Sequence, residues 1–285
     1  MPPKIKHIPV NILPAGTREG IFIARASFNA SPDIEETGKS HRDNGHLFIL
    51  QEAGTTHIEI DFQKHKIEAS SVIYIHPSQV HRLILFENAT VSSCIITAEN
   101  LNPANLQLLE SLNPVDALAL NPDALTIISE TATLCIKLAE RKQERLYDAI
   151  LKESCNVFVS LIASQYLEQA KPCDSRSRFE VVTKAFKSLL ENSFASIKSP
   201  ATYAERLNIS TPYLNECVKT ATGFPVSYHI QQRVILEAKR LLYHSDKSVK
   251  EIAVDLGYDD YSYFTRLFVK LTGITPIAFR DKNLD

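Results

Sequence analysis

The chain has 285 residues, of which 44% are hydrophobic and 22% are charged, with a net charge of −2. This is the composition of an ordinary globular protein with room for two modest domains. No apolar run reaches the roughly 20 residues that a membrane-spanning helix needs. We also expect no signal peptide, and the net charge alone argues against nucleic-acid binding.

The charge is unevenly divided along the chain. Residues 1–175 carry 15 basic and 21 acidic side chains, whereas residues 176–285 carry 16 basic and 12 acidic ones. This division predicts a basic module attached to an acidic one, although a positive face can also be merely solvated. The five scattered cysteines form no C-x-x-C pair, which is typical of reduced thiols in the cytoplasm.

Residues 1–100 are predicted to form a small β-domain. Short β-rich runs such as GHLFILQEAG, THIEIDFQ and SSVIYIHPSQVHRLILF are separated by turn residues. Several short strands at this spacing indicate a small sandwich or barrel.

Residues 101–172 change to a helical period. One predicted helix begins with Asn121 as its N-cap and Pro122 in its first turn. A second helix, RLYDAILKESCNVFVSLIASQYLEQ, has its apolar residues largely on one side. Two such helices either pack on their own domain or pair with a second copy of the chain. A polar segment at 173–178 is predicted to be a linker.

Residues 179–285 contain an internal repeat. The stretch YAERLNISTPYLNECVKTATGFP matches IAVDLGYDDYSYFTRLFVKLTGITP at an offset of 49 residues, which becomes 50 in the second half. Asn208 and Gly257 occupy the position of a left-handed turn. Ser210 or Thr211 caps the next helix in one copy, and Asp259 or Asp260 does so in the other. Each copy therefore predicts a helix-turn-helix motif.

The second helix of each motif presents polar and aromatic side chains that the core does not need. These could reach base edges in the major groove or touch phosphate. The alternative is a pair of helical hairpins that bind nothing. The predicted DNA-contacting residues are Pro212, Asn215, Glu216 and Lys219 in the first motif, and Tyr261, Ser262, Thr265 and Arg266 in the second.

The segment between the two motifs is predicted to be one stiff helix. Its apolar stripe extends over four turns and comprises Ile230, Val234, Ala238, Leu241 and Leu242. Such a rod would hold the two second helices about one turn of DNA, roughly 34 Å, apart.

Residues 178–283 resemble the DNA-binding domain of AraC/XylS-type transcription regulators. The matching features are AERLNIS, YLNECVK, the segment from Arg233 to Leu242, and IAVDLGYDDYSYFTRLFVKLTGITPIAFR. The resemblance implies two motifs that read adjacent major-groove segments through the eight residues above. The first motif departs from the family pattern, since Glu216 stands where Arg is frequent and Val218 where Phe is common. The second motif is therefore expected to dominate affinity.

The N-terminal segments SHRDNGHLF and IYIHPSQVH resemble the two cupin motifs. The resemblance implies a ligand site at His41, Asp43, His46 and His81. The second histidine of the usual metal-binding pattern is missing, and Ser78 replaces a usual glycine. Regulators of this family typically keep such residues without metal, so we expect no metal and no cofactor. The rival hypothesis is a cupin metalloenzyme fused to a DNA-binding module, with an Fe(II) site at His41, Asp43 and His81.

The sequence thus predicts a multidomain α+β protein rather than an enzyme. It comprises a cupin-like β-barrel sensor at 1–100, a helical and possibly dimerising segment at 101–172, and an all-α tandem helix-turn-helix domain at 179–285. The expected function is cytoplasmic transcription regulation by sequence-specific DNA binding, as an activator or a repressor. The expected partners are double-stranded DNA, a small-molecule effector, a second copy of the chain and RNA polymerase.

Overall fold

The computed structural model describes residues 8–11, 20–28, 40–109, 112, 116–141, 145–169 and 178–281. The chain divides into two compact units. The N-terminal unit is Pro9–Pro172, and the C-terminal unit is Cys173–Asp285 together with Met1–Ile8. Most of the predicted linker lies outside the described residues, and its last residue, Arg178, begins a helix.

The N-terminal unit is rich in antiparallel sheet. The described strands are β1 (Val10–Asn11), β2 (Ile21–Phe28), β3 (Arg42–Asp43), β4 (His46–Ile60), β5 (Gln63–Glu68), β6 (Ser71–Ile75), β7 (His81–Ile96) and β8 (Leu118–Ala119). The main sheet has the order β2-β7-β4-β6-β8, with β5 paired to β4, while β1 and β3 form a separate parallel pair. The sheet-rich unit was predicted. A closed barrel is not found among the described strands, because β2 pairs only with β7 and β8 only with β6.

The long central strand β4 is irregular in its middle. Its first half pairs with β6 and its second half with β5, and both halves pair with β7. Register shifts against β7 fall on either side of Ala53. Gly54 has a φ of +65°, and a Cβ there would lie 2.1 Å from the carbonyl oxygen of Asn88. Glycine is therefore required at this close approach between the backbones of β4 and β7.

Side chains alternate between the two faces of this sheet, as a strand period of two dictates. One face packs under helices and contributes Phe48, Leu50, Val72, Tyr74, Cys94 and Ile96 to the larger core. The other face forms a separate aliphatic cluster of Leu47, Ile58, Ile60, Ile67, Ile73 and Ile75.

The helices of the N-terminal unit follow the sheet. They are α1 (Pro103–Leu109), α2 (Pro122–Ala139) and α3 (Tyr147–Gln169). The predicted cap of α2 is present, since Asn121 accepts a hydrogen bond from the backbone N–H of Ala124 at 2.8 Å. Both long helices pack on their own unit through residues such as Ile128 and Phe158.

The apolar residues of α3 lie on two sides, so the prediction of a single apolar side was wrong. Phe158, Ile162 and Tyr166 are buried, whereas Leu146, just before the helix, and Val157 are 65% and 54% exposed. Only the inner side of α3 packs in the core. The sequence pattern did not distinguish this side from the outer one.

The C-terminal unit is helical. Its helices are α4 (Arg178–Ser193), α5 (Pro200–Arg206), α6 (Thr211–Thr222), α7 (Val226–His244), α8 (Val249–Asp255), α9 (Tyr261–Thr272) and α10 (Pro276–Asp281). One core joins α4, α5 and α6 to the start of α7, and a second joins α8 and α9 to the rest of α7. No helix among the described residues has the length and apolar character needed to cross a bilayer.

Candidate nucleic-acid interface and histidine cluster

The two predicted turns have matching geometry. Asn208 follows α5 with a φ of +54°, and Gly257 follows α8 with a φ of +73°. In each copy the residue after it donates its N–H back to a small alanine: Ile209 to Ala204 at 3.0 Å, and the equivalent tyrosine to Ala253 at 2.8 Å. Both motifs therefore turn through a left-handed residue, as the sequence indicates.

The caps of the second helices are equally well defined. Ser210, rather than Thr211, caps α6 by accepting from the N–H of Tyr213. Asp260, rather than Asp259, caps α9 by accepting from the first-turn N–H groups at 2.8 and 3.1 Å. The carboxylate at the start of α9 also lies at the positive end of the helix dipole, which favours it.

The apolar positions of the repeat form the interior of each motif. Leu214 and Phe264 are equivalent and have no exposed surface. Phe264 contacts the rings of Tyr258 and Phe268, with centroids 5.6 and 6.3 Å away. These side chains fix the angle between the helices of each motif, and so the direction in which the second helix presents its outer face.

Six of the eight predicted DNA-contacting residues are exposed. These are Pro212, Glu216 and Lys219 on α6, and Tyr261, Ser262 and Arg266 on α9. Glu216 and Arg266 occupy the same position in the two copies, so α6 and α9 present opposite charges there. Arg266 has no ion-pair partner among the described residues, which leaves its five donors available to a ligand.

The other two, Asn215 and Thr265, are equivalent to each other and only half-exposed. The side-chain oxygen of Asn215 accepts from the backbone N–H of Val226 at 3.1 Å, at the first residue of α7. In the second copy the residue equivalent to Val226 is Pro276, which has no N–H. The hydroxyl of Thr265 is correspondingly buried and has no hydrogen-bond partner within the part of the chain that the structure describes.

Helix α7 contains a buried ionic group that the apolar stripe did not predict. Arg233 contacts Glu191 of α4 at 2.7 Å and Glu237 at 3.2 Å, and Arg240 contacts Glu237 at 2.9 Å. The guanidinium of Arg233 also lies 3.8 Å from the ring centre of Phe194. This group ties α7 to α4 at the level where the two cores meet.

At the end of the unit, Arg280 fastens α10 to the end of α7. Its guanidinium donates to the carbonyl oxygens of Leu242 at 3.0 Å and Lys247 at 2.6 Å. The first hydrogen bond pairs a carbonyl in the last turn of α7, which the helix itself leaves without a partner, and the second holds the loop that follows the helix.

In the N-terminal unit, the structure brings three of the four predicted ligand-binding residues together. His41 and His81 face each other across an isolated β-bridge, and their rings lie 4.6 Å apart. Asp43 is close to both: its carboxylate oxygens lie 3.7 Å from Nε2 of His41 and 3.4 Å from Nε2 of His81. We call these three residues the histidine cluster.

His46 does not join the histidine cluster. Its Nδ1 lies 2.8 Å from the hydroxyl of Tyr74, and its ring is 5.5 Å from that of His76. Burial, with a smaller contribution from the nearby His76, lowers the pKa of His46 to about 4. His46 is thus a neutral, hydrogen-bonded core residue at physiological pH.

Taken together, the geometry of the C-terminal unit defines a DNA-binding module. Two capped helices with exposed outer faces are held by one rigid connecting helix, the arrangement in which such helices enter the major groove.

Comparison with known proteins extends this conclusion. Residues 203–282 match the family model described as "Helix-turn-helix domain". The regulator YdiP of Escherichia coli is 24% identical over 90% of this chain and 85% of its own length. The activator RhaS of Escherichia fergusonii is 24% identical over 84% of this chain and 86% of its own.

Two further matches cover a smaller share of this chain. The activator RhaR of Enterobacter is 31% identical over 28% of this chain, and the match spans only 29% of that protein's length. Among solved structures, the C-terminal domain of the response regulator yesN from Fusobacterium nucleatum is 29% identical, with a TM-score of 0.32. It covers 33% of this chain and 93% of that one.

The C-terminal unit carries an AraC-type helix-turn-helix domain, and over most of its length the chain is similar to AraC-family transcription regulators. This confirms the resemblance drawn from the repeat. It also decides against the rival hypothesis of an enzyme, since these relatives are named as transcriptional regulators and activators.

Proposed function

We propose that this regulator reads a specific double-stranded DNA site with both motifs, in successive segments of the major groove, and that α9 contributes most of the affinity. The proposal is carried by one observation: two motifs with matching turns and caps share the single helix α7.

The charges of the two outer faces support the dominance of α9. Arg266 can pair bidentately with guanine, or attract phosphate. Glu216 repels phosphate at the equivalent position, and its carboxylate can only accept hydrogen bonds, from the exposed amino group of a cytosine or an adenine. Lys219, one helical turn further, supplies a phosphate contact for α6.

The hydrogen bond of Asn215 further weakens base reading by α6. Pairing with adenine requires both the amide oxygen and the amide NH₂ of an asparagine. The oxygen of Asn215 is already used by Val226. We therefore assign Asn215 mainly to positioning α7, while Tyr261 and Ser262 of α9 remain proposed DNA contacts.

For the N-terminal unit, we propose a cupin-like sensor that responds to a small-molecule effector and pairs with a second copy of the chain. The outer sides of α2 and α3 support the pairing. They expose Ile127 and Leu134 on α2 and Val157 on α3, each more than half accessible. A groove of about 530 Å³ follows α2. Covering these apolar side chains would stabilise a dimer.

The relatives RhaR and RhaS are named as transcriptional activators. We propose that this protein likewise activates transcription, in the cytoplasm, by a contact with RNA polymerase when bound near a promoter.

The test begins with genomic DNA fragments selected on the tag-free full-length protein. Affinity for the selected site should exceed that for a shuffled site by about 10³-fold or more. The logarithm of the association constant should fall linearly with that of salt concentration, by about 0.9 per phosphate contact. Equal binding to selected and shuffled DNA would contradict sequence-specific reading.

A matched pair of variants then tests the dominance of α9, because the two positions are equivalent. Arg266→Ala should weaken binding to the selected site by about 1–3 kcal/mol and relax the preference at one base pair. Glu216→Ala should leave the affinity unchanged or raise it, since a charge that repels phosphate is removed. A larger loss for Glu216→Ala than for Arg266→Ala would refute the assignment.

A further inference from the structure

The loop between α4 and α5 lies against the turn of the second motif. A Cβ on Gly257 would lie 2.1 Å from the carbonyl oxygen of Ala195 and 3.1 Å from Nζ of Lys198. Ile197, which stands between these two loop residues, belongs to the core of the first motif. The loop is therefore part of the first motif, and the two motifs meet here as well as along the shared helix α7.

The side chain of Lys198 occupies this meeting point. Its ammonium donates hydrogen bonds to the carbonyl oxygens of Phe194 and Ala195 at 2.5 and 2.8 Å, just past the end of α4. It also lies 5.2 Å from the ring centre of Tyr258, the residue after Gly257. Burial lowers the pKa of Lys198 to about 8. The attraction of an ammonium to an aromatic ring is stronger when the charge is withdrawn from water in this way.

The repeat shows that this arrangement is particular to one copy. Lys198 and Lys247 are equivalent, because each precedes the serine that caps the first helix of its motif. Lys247 pairs with Asp255 of its own motif at 2.6 Å. At the position of Asp255 the first motif has Arg206, which cannot accept a proton or a hydrogen bond from a lysine. The lysine of the first motif contacts the second motif instead.

The contact continues from Tyr258 to the helix that is proposed to dominate DNA binding. The ring of Tyr258 stacks on that of Tyr263, with centroids 5.9 Å apart and 26° between the planes. It also lies 5.6 Å from the ring of Phe264. Both partners are in the first turn of α9. Lys198 is therefore linked through one aromatic ring to the start of α9.

We propose that Lys198 is a positioning residue that fixes the angle between the two motifs, and thereby the spacing between the two DNA segments that the protein reads. This inference rests on the proposed function, because it requires both motifs to read DNA. One base pair inserted between the segments displaces one of them by about 3.4 Å and rotates it by about 35°. Motifs held at a fixed angle lose contacts on such a site, whereas motifs that can turn relative to each other recover part of them.

The test compares two DNA duplexes bound by the tag-free full-length protein. One is the selected site, and the other has one base pair inserted between its two recognised segments. Lys198→Met keeps an unbranched side chain but removes the charge. It should lower the ratio between the two affinities by about 2–30-fold, the range that a lost cation–π contact allows. An unchanged ratio in Lys198→Met would overturn the inference.

Lys247→Met is the matched control, because it removes the equivalent lysine, which pairs within its own motif. It should keep the ratio of the unaltered chain. A second variant, Tyr258→Leu, removes the ring and leaves the hydrogen bonds of Lys198 in place, and it should lower the ratio in the same direction. A purely structural role would weaken binding to both duplexes by one factor, and that result would also overturn the inference.

The unaltered chain separates this inference from the proposed function. Equal binding of the selected and a shuffled site by the unaltered chain would refute the proposed function, and this inference with it. Discrimination between those two sites, with ratios in Lys198→Met and Tyr258→Leu like that of the unaltered chain, would refute the role of Lys198 alone. Circular dichroism of each variant confirms that the folded protein is compared.

Discussion

The equivalent residues Asn215 and Thr265 should respond in opposite directions when their side-chain hydrogen-bonding groups are removed. Val226 is fully buried, and the side chain of Asn215 is the acceptor for its N–H. The residue before α7 is Pro225, which offers no side-chain cap. Asn215→Ala therefore leaves a buried donor unpaired and should cost about 1–2 kcal/mol.

Thr265→Val makes the matched change in the second copy. It replaces a buried hydroxyl without a partner by a methyl group of similar size. Because burying an unsatisfied hydroxyl costs about 1–3 kcal/mol, and Thr and Val have similar helix propensities, this variant should be neutral or more stable. The two copies differ because Pro276 stands at the position of Val226 and has no N–H that could donate to the hydroxyl of Thr265.

Hydrogen exchange measured by mass spectrometry can report both effects locally. A loss of 1–2 kcal/mol should accelerate exchange in peptides covering the start of α7 by about 5–30-fold in Asn215→Ala. Peptides covering α10 in Thr265→Val should exchange no faster than in the unaltered protein. Unchanged exchange at the start of α7 in Asn215→Ala would rule out the proposed role of its side chain. Equal loosening of the second motif in Thr265→Val would rule out the proposed difference between the copies.

Buried side chains in the two units allow two further predictions. Phe264→Ala should destabilise the second motif by about 3–5 kcal/mol and abolish DNA binding. Urea unfolding and DNA titration would check this, and unaltered stability would show that Phe264 is not a core residue. The lowered pKa of His46, about 4, means that the unfolded chain binds this proton more readily. Stability should therefore fall by a few kcal/mol as pH drops from about 6.5 to 4. His46→Gln should flatten that dependence in unfolding titrations, and an unchanged slope would contradict the assignment.

The sequence predicted the helix-turn-helix motifs well, because their signals are local. A left-handed turn residue, a cap and a small alanine lie within a few residues of one another, so the geometry at Asn208 and Ser210 depends little on distant parts of the chain. The repeat strengthened those signals, because two copies with matching turn and cap residues leave fewer alternative structures than one copy does.

What the sequence did not predict depends on long-range contacts. Glu191 and Arg233 are 42 residues apart, and an apolar stripe carries no information on which charged neighbour is buried beside it. The clustering of His41 with His81 required the β-bridge, and the exclusion of His46 required the hydroxyl of Tyr74. One signal was present in the sequence itself: aligning the two copies of the repeat places Pro276, which has no N–H, against Val226, so the donor that pairs with Asn215 has no counterpart for Thr265.

The sharing of α7 restricts how such a regulator can be controlled. Ile230 belongs to the core of the first motif and Val234, one turn later, to that of the second. Phe194 packs against both cores. A change in the angle between the motifs would expose such side chains, at about 1.5–3 kcal/mol for each one uncovered. A movement of the C-terminal unit as a whole leaves both cores intact and avoids this cost, so regulation should move both motifs together.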